Sequence, residues 1–341
     1  MKNRKRLPFQ LAPLVLAALA VLALFLVGSG SSLPAEEAAA APALKVAYSD
    51  WPGWLVWEIA KQKGFFKDAG VDVDLVWFGD YGASIDAYTA GKLDGIMIAC
   101  GDSLKEKASV IIVLTDFSEG NDMIIGKPGV ADIKALKGKT VGLEENLVEH
   151  LLLMAALEKN GLKDTDVTIK KVKTEATTQA LKSGGVDAVG AWYPISGQTL
   201  AEVAGSKPLF TSKEAPGLIY DALQVTPDSL DKHRAEWKKM VGVWFKCLAF
   251  LNDPKTHDEA VKIMAKRIDG KAEDLEKNLK GTHLLDGAGN LKALQKKNTL
   301  DSIYGSLKNA DSFYLKRKVY DKAVNVEKMV DPSLVKELLG K

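Results

Sequence analysis

The strongest constraint on this chain is an alternation between residues 44 and 100. Three short strand patterns, Leu44–Tyr48, Val71–Phe78 and Ile96–Cys100, are separated by two helical ones, Pro52–Lys61 and Ala83–Ala90. Strand–helix–strand alternation of this kind predicts an α/β fold with a parallel sheet and helices on its faces. In open sheets of that class a ligand sits beyond the carboxyl ends of the strands. Function is therefore sought in the loops that follow the strands: Ser49-Asp50-Trp51-Pro52, Gly79-Asp80-Tyr81-Gly82 and Gly101-Asp102-Ser103.

Further along, Val110–Leu114 reads as a fourth strand, and Met123–Ile125 as a crossover into a second lobe. That lobe repeats the order, with strands at Lys139–Leu143, Val167–Val172 and Val186–Trp192 and helices at Leu147–Lys159 and Thr177–Leu181. Ala87, Gly91 and Asp94 recur at a constant offset as Ala180, Gly184 and Asp187, each set in a turn that feeds a strand. Matching element order makes this echo an argument for duplicated topology. Leu218–Val225 reads as a return strand, and the chain from Asp228 to Leu339 as almost wholly helical. Trp237, Met240, Val241, Trp244, Phe245 and Leu248 carry the apolar spacing of packing helices. The domain expectation is a leader over 1–41, a first lobe from 42–124, a second lobe from 125–217, and residues 218–341 returning to complete the first.

The N-terminus is of another kind. Lys2, Arg4, Lys5 and Arg6 precede an apolar run from Leu11 to Val27, then small residues and an alanine tract. This is the order of a secretory signal peptide, with cleavage expected between Gly30 and Ala41. An uncleaved membrane anchor is the alternative, the run being barely long enough to span. No cysteine precedes Cys100, which argues against a lipid anchor. Losing the four basic residues together with Glu36 and Glu37 would take the formal charge from +2 to zero. Nothing then suggests a nucleic-acid partner. Cys100 and Cys247 read as buried thiols, and no Cys/His cluster has metal spacing. No cofactor is expected, since nucleophile elbow, phosphate loop, dinucleotide fingerprint and zinc motif are all missing.

The loops do carry acids: Asp50, Asp80, Asp102, Glu119, Asp122, Glu144, Glu145 and Glu149, without a lysine or arginine. Acids at helix starts are often caps, and about half of these are expected to be caps or solvent-facing. Asp122 reads as a hinge residue and Glu145 as solvated. Asp80, Asp102, Glu119 and Glu149 are the ligand candidates, with Trp51, Trp54, Tyr81, Trp192 and Tyr193 as stacking partners. Carboxylates matched to a planar fork of N–H donors, between aromatic faces, suit guanidinium.

The segment Lys45–Gly95, with Gly64-Phe65-Phe66 and Ala90-Gly91-Lys92-Leu93-Asp94, resembles periplasmic substrate-binding proteins of the nitrate, sulfonate and taurine transporter family. So do Leu136–Gly142, Ala156–Gly161 and Val186-Asp187-Ala188 with Trp192-Tyr193-Pro194. The resemblance covers roughly residues 44–250. It implies a type II periplasmic binding protein fold, in which two α/β lobes joined by crossover strands are completed by C-terminal helices. It also implies a monomeric periplasmic receptor that delivers a small-molecule solute to an ABC permease and its ATPase. Asp116–Met123, Val148–Leu153 and Ala215–Asp221 resemble the branch associated with urea carboxylase, implying guanidinium or urea as ligand. Where anion-binding members carry Ser-Ser-x-His at a helix start, this chain has Asn146-Leu147-Val148-Glu149. Nitrate, taurine or an alkanesulfonate is the alternative ligand. A pyrimidine-precursor synthase is the enzyme alternative, but it requires a reactive histidine and a cysteine-rich loop that these loops lack, apart from His150.

Overall fold

A computed structural model describes residues 43–105 and 109–341. The export and anchor readings of the N-terminal segment lie outside the described residues. Eleven strands are described, β1 Leu44–Tyr48, β2 Val73–Trp77, β3 Gly95–Ala99, β4 Val110–Ser118, β5 Met123–Gly126, β6 Thr140–Leu143, β7 Thr168–Lys171, β8 Ala188–Ala191, β9 Lys207–Thr211, β10 Tyr220–Val225 and β11 Thr282–Leu284. They form two sheets, one in the order β11-β4-β10-β3-β1-β2 and the other β7-β6-β8-β5-β9. Each sheet, with its helices, is one α/β lobe.

The parallel sheet expected from the alternation is half of the answer. β1 runs parallel to β2 and β3, and β6 parallel to β7 and β8. The remaining pairings are antiparallel: β10 with β3 and β4, β11 with β4, and β5 with β8 and β9. The cause is the path of the chain. It leaves the first lobe after β4 and returns before β10, and β5 and β10, which arrive across a lobe boundary, run against their neighbours, while β11 is added antiparallel to β4 from within the C-terminal region.

Two strands escape the sequence pattern. β9 contains a proline that removes a ladder donor, Pro208, and lies at a sheet edge, where proline is tolerated. β11 has three residues, too few for a periodicity, and interrupts the otherwise helical C-terminal region.

The two echoed turns are built alike. Gly91 and Gly184 both adopt the left-handed conformation, with φ of 71° and 73°, which costs a residue with a Cβ far more than glycine. Asp94 Oδ2 accepts the backbone N–H of Lys45 at 2.9 Å, and Asp187 Oδ2 accepts that of Thr140 at 2.9 Å. In each lobe the aspartate after the turn thus holds the start of the central parallel strand.

The first lobe's core is rich in tryptophan. Trp57 is fully buried, as its helical phase predicts, and packs on Phe66 and Trp244 with ring centres 6.1 and 5.4 Å away. Burying each such side chain is worth about 1.5–3 kcal/mol. Cys100 and Cys247 are free and buried.

The crossovers touch each other. The Ser118 and Ser212 hydroxyls lie 2.6 Å apart, and the Gly120 N–H donates to Ser212 Oγ at 2.7 Å. On the other side, the helix Ile303–Lys316 ties the first lobe to the second. The Tyr314 hydroxyl donates to both Asp102 Oδ1 and the Asn146 carbonyl, at 3.1 and 3.2 Å. Arg317 reaches Asn146 Oδ1 at 2.8 Å, Glu145 Oε1 at 2.9 Å and Asp164 Oδ2 at 2.5 Å.

Candidate functional site

Between the two sheets lies a small aromatic-walled cavity of about 20 Å³, lined by Trp51, Trp54, Tyr81, Ala99, Asp122, Val148, Trp192, Ile219 and Asp221. Most of its walls come from the carboxyl ends of strands, the place the alternation indicated, while Asp122, Ile219 and Asp221 come from the amino ends of β5 and β10. Pro52 starts a short helix directly after the extended Trp51, which projects Trp51 and Trp54 from the end of β1. Asp80 caps the next helix by accepting the Ala83 N–H at 3.1 Å, placing Tyr81 at its first turn. The Tyr81 ring lies 5.5 Å from Trp54 in its own lobe and 5.5 Å from Trp192 in the other, edge-on to the latter.

Carboxyl groups surround this box. Asp116 on β4 and Asp221 on β10 are direct cross-strand partners, and both are buried. Like charges set opposite each other destabilise a sheet. Asp122, just before β5, lies within hydrogen-bonding reach of Glu149 in the first turn of the helix Val148–Lys159, and both are buried. A bond inside either pair requires one member to carry a proton. As carboxylates, Asp116 Oδ2, Asp122 Oδ2 and both Glu149 oxygens have no donor. Burial, followed by the neighbouring acids, pushes Asp221 and Glu149 well above the usual carboxylate range. Burial raises Asp116 and Asp122 as well. Two glycines make room for these acids: a Cβ on Gly53 would fall 2.0 Å from Asp116 Oδ2, and one on Gly190 2.7 Å from the Glu149 Cβ.

Trp51 Nε1 donates to Asp116 Oδ1 at 2.8 Å, so a wall aromatic and a wall acid hold each other. Across the cleft, Asp50 is hydrogen-bonded to the Trp192 side chain, and burial raises its pKa to about 6. Asp102 stands behind the wall. It accepts the Tyr81 and Tyr314 hydroxyls at 3.1 Å each, and burial lifts it to about 6 against the opposing pull of Lys105.

Of the residues singled out from the sequence, Trp51, Trp54, Tyr81 and Trp192 line the cavity. Asp102 positions Tyr81 from behind, and Glu149 reaches the cavity through Asp122. Three lie elsewhere. Asp80 is a cap ion-paired to Lys173. Glu119 is partly exposed beside His283, 3.5 Å away. Tyr193 faces Asn278 and Asp274. Asp122, read as a hinge residue, stands in the cavity wall, and Glu145, read as solvated, pairs with Arg317 and Lys171. Sequence reasoning passed over Asp116 and Asp221, whose signal was an acid inside an apolar strand pattern.

Two α/β lobes with a small cavity between them define a bilobal binding-protein fold. The chain belongs to the NMT1-like family, whose model matches residues 37–265. A Brucella abortus protein named as a binding protein is 30% identical over 181 residues, which span 51% of this chain and 57% of that protein. The chain thus matches little more than half the length of that relative. A Bacillus subtilis protein named for binding aliphatic sulfonates is 24% identical over 297 residues, 82% of this chain and 84% of that one. The crystal structure of the Escherichia coli periplasmic aliphatic sulphonate binding protein shares the fold, with a TM-score of 0.68 and 19% identity, covering 86% of this chain and 99% of that one.

Proposed function

We propose that this chain is a periplasmic solute receptor of an ABC importer, not an enzyme, and that it takes a small planar nitrogen cation, guanidinium, between two closing lobes. The lobes would be residues 42–124 with 218–341, and 125–217, turning about the two crossovers. A permease and its ATPase would be the partners, and export through the N-terminal segment would bring the protein to them.

The observation that carries the ligand assignment is the buried acid set, contributed by both lobes, around a cavity that no lysine or arginine lines among the described residues. An anion placed there would meet unpaired carboxylates in a low-dielectric site, a cost of several kcal/mol. Guanidinium can pair its planar donors with two carboxylates while its face stacks on indole. At about 20 Å³ the cavity is small, which favours a compact solute over an extended one, and its walls must move apart to admit guanidinium. Urea is the second reading, supported by Trp54 Nε1, a buried donor without a partner that a carbonyl oxygen would satisfy.

Calorimetric titration with guanidinium chloride, urea, taurine and nitrate tests the assignment. Guanidinium should bind most tightly. Tight binding of taurine without guanidinium binding would return the ligand to the aliphatic sulfonates named for the Bacillus subtilis and Escherichia coli proteins, and tight binding of nitrate alone would equally overturn the assignment.

A further inference from the structure

We propose that without a ligand the cleft holds protons shared within the Asp116–Asp221 and Asp122–Glu149 pairs, and that a cationic ligand binds by expelling one of them. This rests on the cation reading and adds a proton to its stoichiometry.

The argument starts from geometry. Asp116 and Asp221 are forced opposite each other by the register of β4 and β10. Asp122 and Glu149 meet where the crossover enters β5 beside a helix start. All four are buried, and Asp122 and Asp221 form part of the cavity wall. Asp122 Oδ2, facing a cavity with no donor on it, is an acceptor that a ligand or a proton must satisfy.

The surroundings offer little else to balance four negative charges. Asp116 receives a neutral hydrogen bond from Trp51 Nε1 and faces Asp122. Asp122 receives one from Ser118. Glu149 faces Asp102 and Glu144, both acids. Asp221 faces Asp122 and Asp102, and beside it the Cys100 thiol is pushed up by burial and by these acids, so it stays neutral. Lys105 acts on Asp102 from its own turn. His150, next to Glu149 in the chain, is lowered to about 4 by burial and Arg317, so it is neutral too. Among the described residues protons are the remaining counter-charge, and the raised acid pKa values agree. Two coupled carboxyls titrate as a unit, and below that titration the shared proton leaves when a cation takes over its role.

The step balances. One carboxylic O–H bond breaks, its proton goes to solvent, and the ligand's single positive charge replaces it, leaving the net charge of the site unchanged. Urea, being neutral, would enter without that exchange.

Titration calorimetry on the full chain with guanidinium chloride, in phosphate and in Tris at one pH near 6.5, reads the proton count from the difference in heat. About one proton released per guanidinium is expected, with affinity rising up to about tenfold per pH unit from pH 5 and flattening above the titration of the pairs. Infrared spectra of the ligand-free protein should show a buried carboxylic C=O band that guanidinium weakens and that Asp122→Asn alters. Guanidinium binding with equal heats in both buffers overturns the exchange and leaves the receptor reading intact. No guanidinium binding at any pH overturns that reading together with the exchange. The same weakening of the infrared band on adding urea would overturn the link to charge.

Discussion

The turns after Tyr88 and after Leu181 are copies of one device, whereas the acids between the lobes have no copy. Gly91 and Gly184 take the same left-handed conformation, and Asp94 and Asp187 hold the start of the central strand with equal geometry. The first lobe gives the cleft Asp116 and Asp221 from strand interiors, while the second gives Glu149 from a helix start, next to Asp122 at a crossover. What builds a lobe is thus repeated in sequence, and what makes the lobes a site is not. The repeated part satisfies its own hydrogen bonds; the acids are left short of donors and depend on something from outside.

The comparison breaks most sharply at the acids. Asp221→Asn in one lobe and Glu149→Gln in the other should each weaken guanidinium binding by about 2–5 kcal/mol in a calorimetric titration. A loss on one side only would mean that a single lobe holds the ligand.

Response to pH should separate site from turn by sign. Asp102, lifted by burial to about 6, stabilises the fold below the unfolded carboxylate pKa, and that contribution is lost as pH rises through its folded value, by up to about 3 kcal/mol. The site pairs act in the same direction. Asp187, held low by Lys127 and the Thr140 N–H, contributes above the unfolded pKa and loses that as pH falls through its depressed folded value. The ligand-free protein should therefore melt at a lower temperature at pH 8 than at pH 5, and guanidinium should restore more of the difference at pH 8. A melting temperature that climbs over this range would contradict the burial of the acids.

Gly53→Ala and Gly190→Ala, one in each lobe, push a methyl group against Asp116 and Glu149. Each should destabilise by about 1–3 kcal/mol in denaturant titrations, the usual range for overpacking. Asp94→Ala and Asp187→Ala remove the paired strand bonds and should each cost about 1 kcal/mol, with similar midpoints. A cost confined to one of them would show that the echo is of sequence and not of energetics. Least of all, Glu119→Gln should move guanidinium affinity by less than about 0.5 kcal/mol, since its carboxylate is partly exposed and away from the cavity.

Legibility in the sequence follows the same division. The parallel strands, the echoed turns and the four cavity aromatics follow from period, punctuation and the rule that ligands lie beyond strand ends. The antiparallel strands do not, because their direction is set by where the chain comes from after leaving the lobe. Asp116 and Asp221 were hidden because a strand pattern tells which residues are buried and nothing about which face which. Their pairing depends on β4 and β10, a hundred residues apart in order of magnitude, being neighbours in one sheet. Glu119 misled for the opposite reason: it stands in a crossover loop, but its side chain turns to His283.

The reach of Arg317 and Tyr314 across to Glu145, Asn146 and Asp164 bears on time. A cleft that opens must first give up these bonds, which lie on the far side of Tyr81 and Asp102 from the cavity. How long a captive stays inside is then governed partly by a clasp it never touches. Weakening the clasp should shorten the stay while leaving the pocket's preference among ligands as it was.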